Sequence, residues 1–250
     1  MLMYFAGAEV ETHRELLLNN NVGSVLCSAF GLNYKRSMNS YRKFQNILLD
    51  SGGYTARMQN VQIDVKDYAN FINKNDIQLA FNLDTNDVKE TLFNQGFLET
   101  NTSAYILPVY HFSDYTDNEH KHLLDEMIGN YSYISIGGVA GMKLGARKEI
   151  FYDYVFSKIS KVWNQCKVHG LGITGKNVLE KYPFYSVDST SWLAFQKFGS
   201  SKVVKDKKMR QFLCKTIHYN KRNEIEIRHY LHIEKYITSL WEKRGVKWDE

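Results

Sequence analysis

Ile47-Leu48-Leu49-Asp50-Ser51-Gly52-Gly53-Tyr54 is an apolar run too short for an independent helix, closed by an acid and two glycines. Such a run reads as a buried strand, and the glycines as the turn by which the chain leaves it. Val65–Asn73 follows, with Val65, Tyr68, Ala69 and Ile72 at helical intervals, and then a second apolar run, Ile77–Leu83. Strand, turn, helix and strand make a βα unit. The same alternation extends both ways. Met3–Ala8, Ser24–Phe30, Ala104–Val109, Tyr133–Ile136, Lys167–Leu171 and Phe184–Val187 bring the expected strands to eight. Thr12–Asn19, Asp87–Phe93, Glu119–Ile128, Arg147–Ile159 and Asn177–Lys181 are the helices between them, the last stopped by Pro183, whose ring cannot continue a helix. Eight βα units predict an α/β fold, a (β/α)8 TIM barrel over residues 1–192. No Gly-x-Gly-x-x-Gly opens the first helix, which argues against a dinucleotide-binding sheet.

Composition agrees. The 250 residues are 44% hydrophobic and 24% charged with 2 prolines, enough apolar material for one sizeable core and too little Pro and Gly for a disordered or collagenous chain. No run reaches the ~18 apolar residues of a membrane span. The N-terminus lacks the basic start of a signal peptide. Three widely spaced cysteines, Cys27, Cys166 and Cys214, disfavour a disulfide framework or a Cys-x-x-Cys zinc site, so a cytoplasmic setting is expected.

Charge is uneven. Residues 193–250 carry fourteen Lys and Arg against seven Asp and Glu, a net of +7, whereas the preceding residues carry a net of −2. This basic C-terminal extension is expected to pack on the barrel as helices Lys207–Ile217 and Ile233–Lys243 around a polar strand near Glu224–Tyr230. Lys202, Lys205, Lys207, Lys208 and Arg210, with Lys221 and Arg222, suit phosphate contacts to nucleic acid; the alternative is a solvated basic face. The interleaved Phe198, Phe212, Tyr219 and Tyr230 either stack on bases or join the core.

In a (β/α)8 barrel the chemistry sits at the carboxyl ends of the strands, where the loops converge. Those ends are Gly7-Ala8-Glu9, the Asp50–Tyr54 stretch, Asn82-Leu83-Asp84, Tyr110-His111, Gly137-Gly138, His169-Gly170-Leu171-Gly172 and Asp188-Ser189-Thr190. Carboxylates, imidazoles and glycines thus share one mouth, and glycines let a flat ligand approach the backbone. Each residue also has a plainer role: the aspartates as helix N-caps, the histidines as satisfied rim residues, the glycines as turns.

These stretches resemble the tRNA-guanine transglycosylase superfamily. Asp50-Ser51-Gly52-Gly53-Tyr54 resembles its Asp-Ser-Gly-Gly-aromatic signature, and Ala80-Phe81-Asn82-Leu83-Asp84 its base-recognising strand. Ile136-Gly137-Gly138-Val139 is similar to its Gly-Gly turn, His169-Gly170-Leu171-Gly172-Ile173 to its seventh strand, and Tyr185-Ser186-Val187-Asp188-Ser189 to the strand of its nucleophile. The resemblance spans Leu48 to Trp192 in order. The family's zinc-binding Cys-x-Cys-x-x-Cys run has no counterpart, and the chain is short. The likeness is therefore to the compact phage and bacterial relatives that exchange guanine in DNA for a 7-deazaguanine (preQ0-like) base. The family's glutamine is replaced where Tyr110-His111 falls.

The resemblance implies base exchange with retention, by two displacements through a covalent aspartyl-glycosyl intermediate. Asp188 would be the nucleophile and Asp50 the general acid and base; Ser51, Gly52, Tyr54, Asp84, His111, Gly137, Gly138, His169 and Gly170 would bind substrate. It implies no cofactor or metal. Expected partners are DNA before tRNA and a free 7-deazaguanine, with a DNA-opening protein as a potential third, and no membrane. Three readings stand against this one: an RNA-acting enzyme, a metal-dependent barrel hydrolase using Asp50, His111, His169 and Asp188, and a non-catalytic nucleic-acid binder.

Overall fold

Side chains alternate across a strand, so runs that are apolar at every position must bury both faces. A computed structural model describes residues 1–139, 145–162 and 165–247. In it β1 (Leu2–Ala6), β2 (Ser24–Ser28), β3 (Asn46–Asp50), β4 (Leu79–Phe81), β5 (Tyr105–Leu107), β6 (Val109–His111), β7 (Tyr133–Gly137), β8 (Lys167–Gly170) and β9 (Ser186–Ser189) form one parallel sheet ordered β5-β4-β3-β2-β1-β9-β8-β7-β6. The two ends of that order, β5 and β6, are separated in the chain by Pro108 alone. β5 pairs with β4 and β6 with β7, so the sheet comes round on itself with eight strand positions. The chain is a (β/α)8-type barrel, as the alternation predicts.

The shared fifth strand changes partner at Pro108, which has no N–H to donate. Its carbonyl accepts the Ser135 N–H at 2.9 Å, starting the ladder to β7. Below it a side chain replaces the ladder: the Tyr133 N–H donates to the Tyr105 hydroxyl at 2.9 Å, which donates to the Tyr133 carbonyl at 3.0 Å.

Two hydrophobic layers result. Tyr4, Ala6, Leu26, Leu48, Phe81, Leu107, Val109 and Tyr133 fill the barrel interior. The alternate residues, such as Met3, Phe5, Val25, Leu49, Ile106 and Ile134, pack outward against the helices. These are α1 (Glu11–Asn19), α2 (Gly53–Met58), α3 (Val65–Lys74), α4 (Val88–Asn101), α5 (Phe112–Thr116), α6 (Leu123–Asn130), α7 (Arg147–Ile159), α8 (Lys176–Lys181), α9 (Ala194–Phe198), α10 (Lys207–Thr216) and α11 (Tyr219–Lys243). Asp64 and Asp87 cap α3 and α4 by accepting the N–H groups of Lys66 and Lys89, both at 2.8 Å. Among the described residues no helix is long and apolar enough to cross a membrane.

The C-terminal expectation needs one correction. Glu224–Tyr230 is not a strand: it lies inside α11, a single helix of 25 residues. Its buried residues Asn223, Glu226, Ile227, Tyr230, Ile233 and Ile237 recur every three to four positions, one stripe of a helix rather than the two-residue period of a strand. Two polar members of the stripe have partners within the C-terminal segment. Glu226 accepts the Ser201 hydroxyl and the Lys202 N–H, and the Asn223 amide donates to Gln196 at 2.6 Å. Ile227, Tyr230, Ile233 and Ile237 belong to the same core as the outward faces of the strands, so α11 supplies the last helix of the barrel wall. Of the interleaved aromatics Tyr230 is core, whereas Phe198 and Phe212 are exposed.

Truncating this stripe should destabilise the whole barrel. Ile227→Ala is expected to cost about 2–5 kcal/mol in urea unfolding, and Lys208→Ala on the exposed face of α10 less than ~0.5 kcal/mol.

Candidate active site

The turn after β3 is built around one position. Gly52 has φ +81°, and a Cβ there would lie 2.3 Å from the Phe30 Cβ and 2.6 Å from the Ser28 Oγ, so only glycine fits. The turn aims the Gly52 N–H at Asp50 Oδ2 (3.0 Å) and starts α2. Ser51 is buried and committed to the turn: its Oγ accepts the Gly53 N–H at 3.3 Å and its carbonyl the Tyr34 hydroxyl at 2.8 Å. Tyr54, at the start of α2, is 72% exposed and open to a ligand. Three residues on, Arg57 donates to the Asp84 carbonyl and holds its guanidinium 3.8 Å from Asp84 Oδ2.

Asp84 follows β4 and meets His111 at the end of β6, with 2.9 Å between Oδ2 and Nε2. This side-chain bond links the two strands just above the level where the β4–β5 ladder has ended. The His111 backbone N–H donates to Asp114 Oδ2 at 2.8 Å, fixing the start of α5. Gly137 and Gly138 lie against the same imidazole. A Cβ at either would stand 3.4 Å from His111 Nδ1, and at Gly138, with φ +77°, 3.0 Å from the Phe112 nitrogen. The absent side chains leave the approach to the Asp84–His111 pair clear.

Asp188 lies on β9, opposite Tyr4 of β1, and is nearly buried. Its Oδ1 accepts the Gly172 N–H at 2.9 Å and faces His169 Nε2 at 3.1 Å; no described residue bonds Oδ2. His169 has no accessible surface. Its Nδ1 is hydrogen-bonded to the Ser186 hydroxyl, which is hydrogen-bonded to the Tyr133 hydroxyl, and the rings of Tyr4 and Phe81 meet its imidazole edge-on. Two expected substrate contacts therefore lie elsewhere. His169 sits beneath Asp188 with both ring nitrogens occupied, because it points into the filled interior of the barrel. Gly170 is the next residue and faces outward, where a Cβ would come within 2.9 Å of the Phe184 ring; it makes room for the core.

The capping alternative does not describe Asp84 or Asp188, whereas Asp50 does bond the turn that starts α2. Asp87, not Asp84, caps α4, and Asp188 bonds the loop after β8 rather than a helix end. Of the four donors of the metal alternative, His169 is bonded to Asp188, His111 is bonded to Asp84 instead of another member of the set, and Asp50 accepts the Gly52 N–H. Among the described residues no three His, Cys, Asp or Glu groups converge as a metal site.

Charge differentiates the carboxyl groups. Burial, with the negative charges of Asp84, Asp188 and Glu9, raises Asp50 from its ordinary 3.8 to about 7. Burial would also raise Asp84, but the hydrogen bond and charge of His111 and the charge of Arg57 outweigh it and hold Asp84 below the usual carboxylate range. Burial pulls His111 down, and its bond to Asp84 more than restores it. Near neutrality the mouth therefore holds Asp50 as a half-protonated acid beside an ionised Asp84.

The basic segment lies at the same end. Met3 of β1 bonds Glu234 of α11, and Phe5, further up the strand, meets Tyr230, so α11 runs antiparallel to β1 and begins beyond its carboxyl end. Lys202, Lys205, Lys207 and Lys208 are exposed and Arg210 is half-buried, and none of the five is ion-paired with a described residue. By contrast, a cavity of about 400 Å³ at the amino-terminal end of the barrel, lined by Leu2, Asn46, Tyr105, Tyr133 and Lys167 among others, has no carboxylate or imidazole in its wall.

Sequence reading gave Ser186, Tyr133, Gly172 and Arg57 no role of their own at the site. Ser186 precedes Asp188 by two residues and so shares its inward face, a signal that was legible. Arg57 carried none. No protein-family model matches the chain, and no characterised protein matches it in sequence.

The raised Asp50 makes stability depend on pH. Between about pH 4 and 7 the folded chain keeps a proton that the unfolded chain has lost, so the contribution is complete below ~4 and is lost as pH rises through ~7. Asp50→Asn should match the parent's melting temperature near pH 4 and exceed it at pH 8, with the gap opening across that interval in thermal melts.

Proposed function

We propose that the chain is a base-exchange transglycosylase of the tRNA-guanine transglycosylase type, replacing guanine in DNA by a 7-deazaguanine through an aspartyl-glycosyl intermediate. The observation that carries the reading is the division of labour at the mouth. Asp188 presents an Oδ2 that no described residue bonds, Asp50 is poised to give and take a proton near neutrality, and Asp84 is held as an anion.

Asp188 Oδ2 attacks the sugar C1′, and the C1′–N bond to guanine breaks as Asp50 gives the leaving base its proton. The incoming 7-deazaguanine loses its N–H proton to Asp50 and attacks C1′, and the bond to Asp188 breaks. Two inversions give retention, and the proton balance closes. Asp84 accepts from the N–H donors on the pairing edge of guanine. A 7-deaza base lacks the N7 acceptor but keeps that edge, so recognition at Asp84 serves both substrates. The amides of Gly137 and Gly138 border the same space. Tyr54 offers a ring for stacking.

A base in a duplex reaches the mouth only when flipped out, at a cost of a few kcal/mol that phosphate contacts offset. Lys202, Lys205, Lys207, Lys208 and Arg210 suit that work, and the exposed Phe198 and Phe212 beside them suit stacking on unpaired bases.

Incubation with guanine-containing DNA or tRNA and a labelled 7-deazaguanine tests the reading. Label should enter DNA, none should enter with Asp188→Asn, and Asp50→Asn should slow entry by ~10²–10⁴-fold. A mass increase mapped to Asp188 identifies the covalent species; absence of label from both polymers overturns the reading. Charge reversal at Lys207 and Lys208 should weaken DNA binding and lower the slope of log affinity against log salt by about 2. An unchanged slope removes the patch from the interface.

A further inference from the structure

We infer that His169 is the positioning residue of Asp188, donating from Nε2 to Oδ1 so that Oδ2 is the oxygen that attacks, with Ser186 and Tyr133 fixing the imidazole tautomer. The inference rests on the base-exchange reading above and deepens it. A carboxylate whose two oxygens are equivalent has two faces and free rotation to choose between; one held at a single oxygen has neither. Both bonds to Asp188 end on Oδ1, from Gly172 N–H at 2.9 Å and from His169 Nε2 at 3.1 Å.

The direction of the chain of bonds follows from donor counting. An ionised carboxylate only accepts, so Nε2 must carry the hydrogen, and in the neutral ring Nδ1 then accepts. Nδ1 is bonded to the Ser186 hydroxyl, which therefore donates to it and can in turn accept from the Tyr133 hydroxyl. Tyr133 O–H, Ser186 O–H and His169 Nε2–H then all point toward Asp188, with every donor used once. The reversed direction would set an acceptor nitrogen against an acceptor oxygen.

All four side chains project into the barrel from neighbouring strands: Tyr133 from β7, His169 from β8, and Ser186 and Asp188 from β9. Tyr4 and Phe81 pack edge-on against the imidazole and hold its plane. The row is therefore braced by the sheet, with the loop amide of Gly172 as a second hold on Oδ1, and a site built on strands is placed more precisely than one built on loops alone.

Two measurements test the assignment. Nitrogen-15 NMR of histidine-labelled protein should show His169 as the Nε2–H tautomer, and Ser186→Ala should broaden or shift that signal; the Nδ1–H tautomer would overturn the role whatever the activity. In exchange assays His169→Phe should lower kcat by roughly 100-fold with KM little changed, the size expected when a reacting group is misplaced by about 1 Å. His169→Gln, whose amide can still donate to Oδ1, should recover much of that loss. An unaltered kcat in a folded His169→Phe protein refutes the positioning role alone, whereas a wild-type protein that labels neither DNA nor tRNA refutes the exchange reading.

Discussion

Closure of the sheet at Pro108 is the constraint from which the site follows. A parallel sheet of eight positions must give every strand two neighbours, and the fifth strand manages this only by changing partners halfway along. Where the ladder is missing, side chains stand in for it. Tyr105 bridges to β7 below the proline, and the Asp84–His111 pair bridges from the end of β4 to β6 above it. One of the mouth's three aspartates is thus also a fastening of the barrel. Its charge is maintained because the histidine that fixes it in place is the one that stabilises its anion.

That arrangement governs the neighbouring acid. Like charges confined in a poorly hydrated mouth oppose one another, and the group with the weakest compensation takes up the proton. Asp84 has an imidazole and a guanidinium, Asp188 has an amide and an imidazole, and Asp50 has one backbone amide. Asp50 is raised by burial and by the charges around it, and the left-handed Gly52 offers it a single N–H, too little to offset them.

The eight strands and most helices were legible because both periods are written in short, clean segments; Arg147–Ile159 is an example, and α4 only runs further than Asp87–Phe93 suggested. Residues 224–230 were not, since their charged residues hid a helical stripe whose buried members include Asn223 and Glu226. Polarity obscures a period when the polar residues are the buried ones. At the site, Asp50, Asp84, His111 and Asp188 could be placed from strand ends alone. Which group each would touch depended on how neighbouring strands are staggered, and that is why His169 turned out to lie under Asp188 and Gly170 to face the helices.

The clasp of α11 on β1 bears on how such a chain emerges from the ribosome. The Met3 N–H finds its acceptor in Glu234, 231 residues later, and β1 is also flanked by β9. β1 therefore keeps an open edge and an uncovered apolar face until β9 and α11 have been made. Contacts of such long sequence separation form late and slowly. Until those two elements are in place the barrel wall stays open along β1, and the strand that carries Asp188 is the one that closes it.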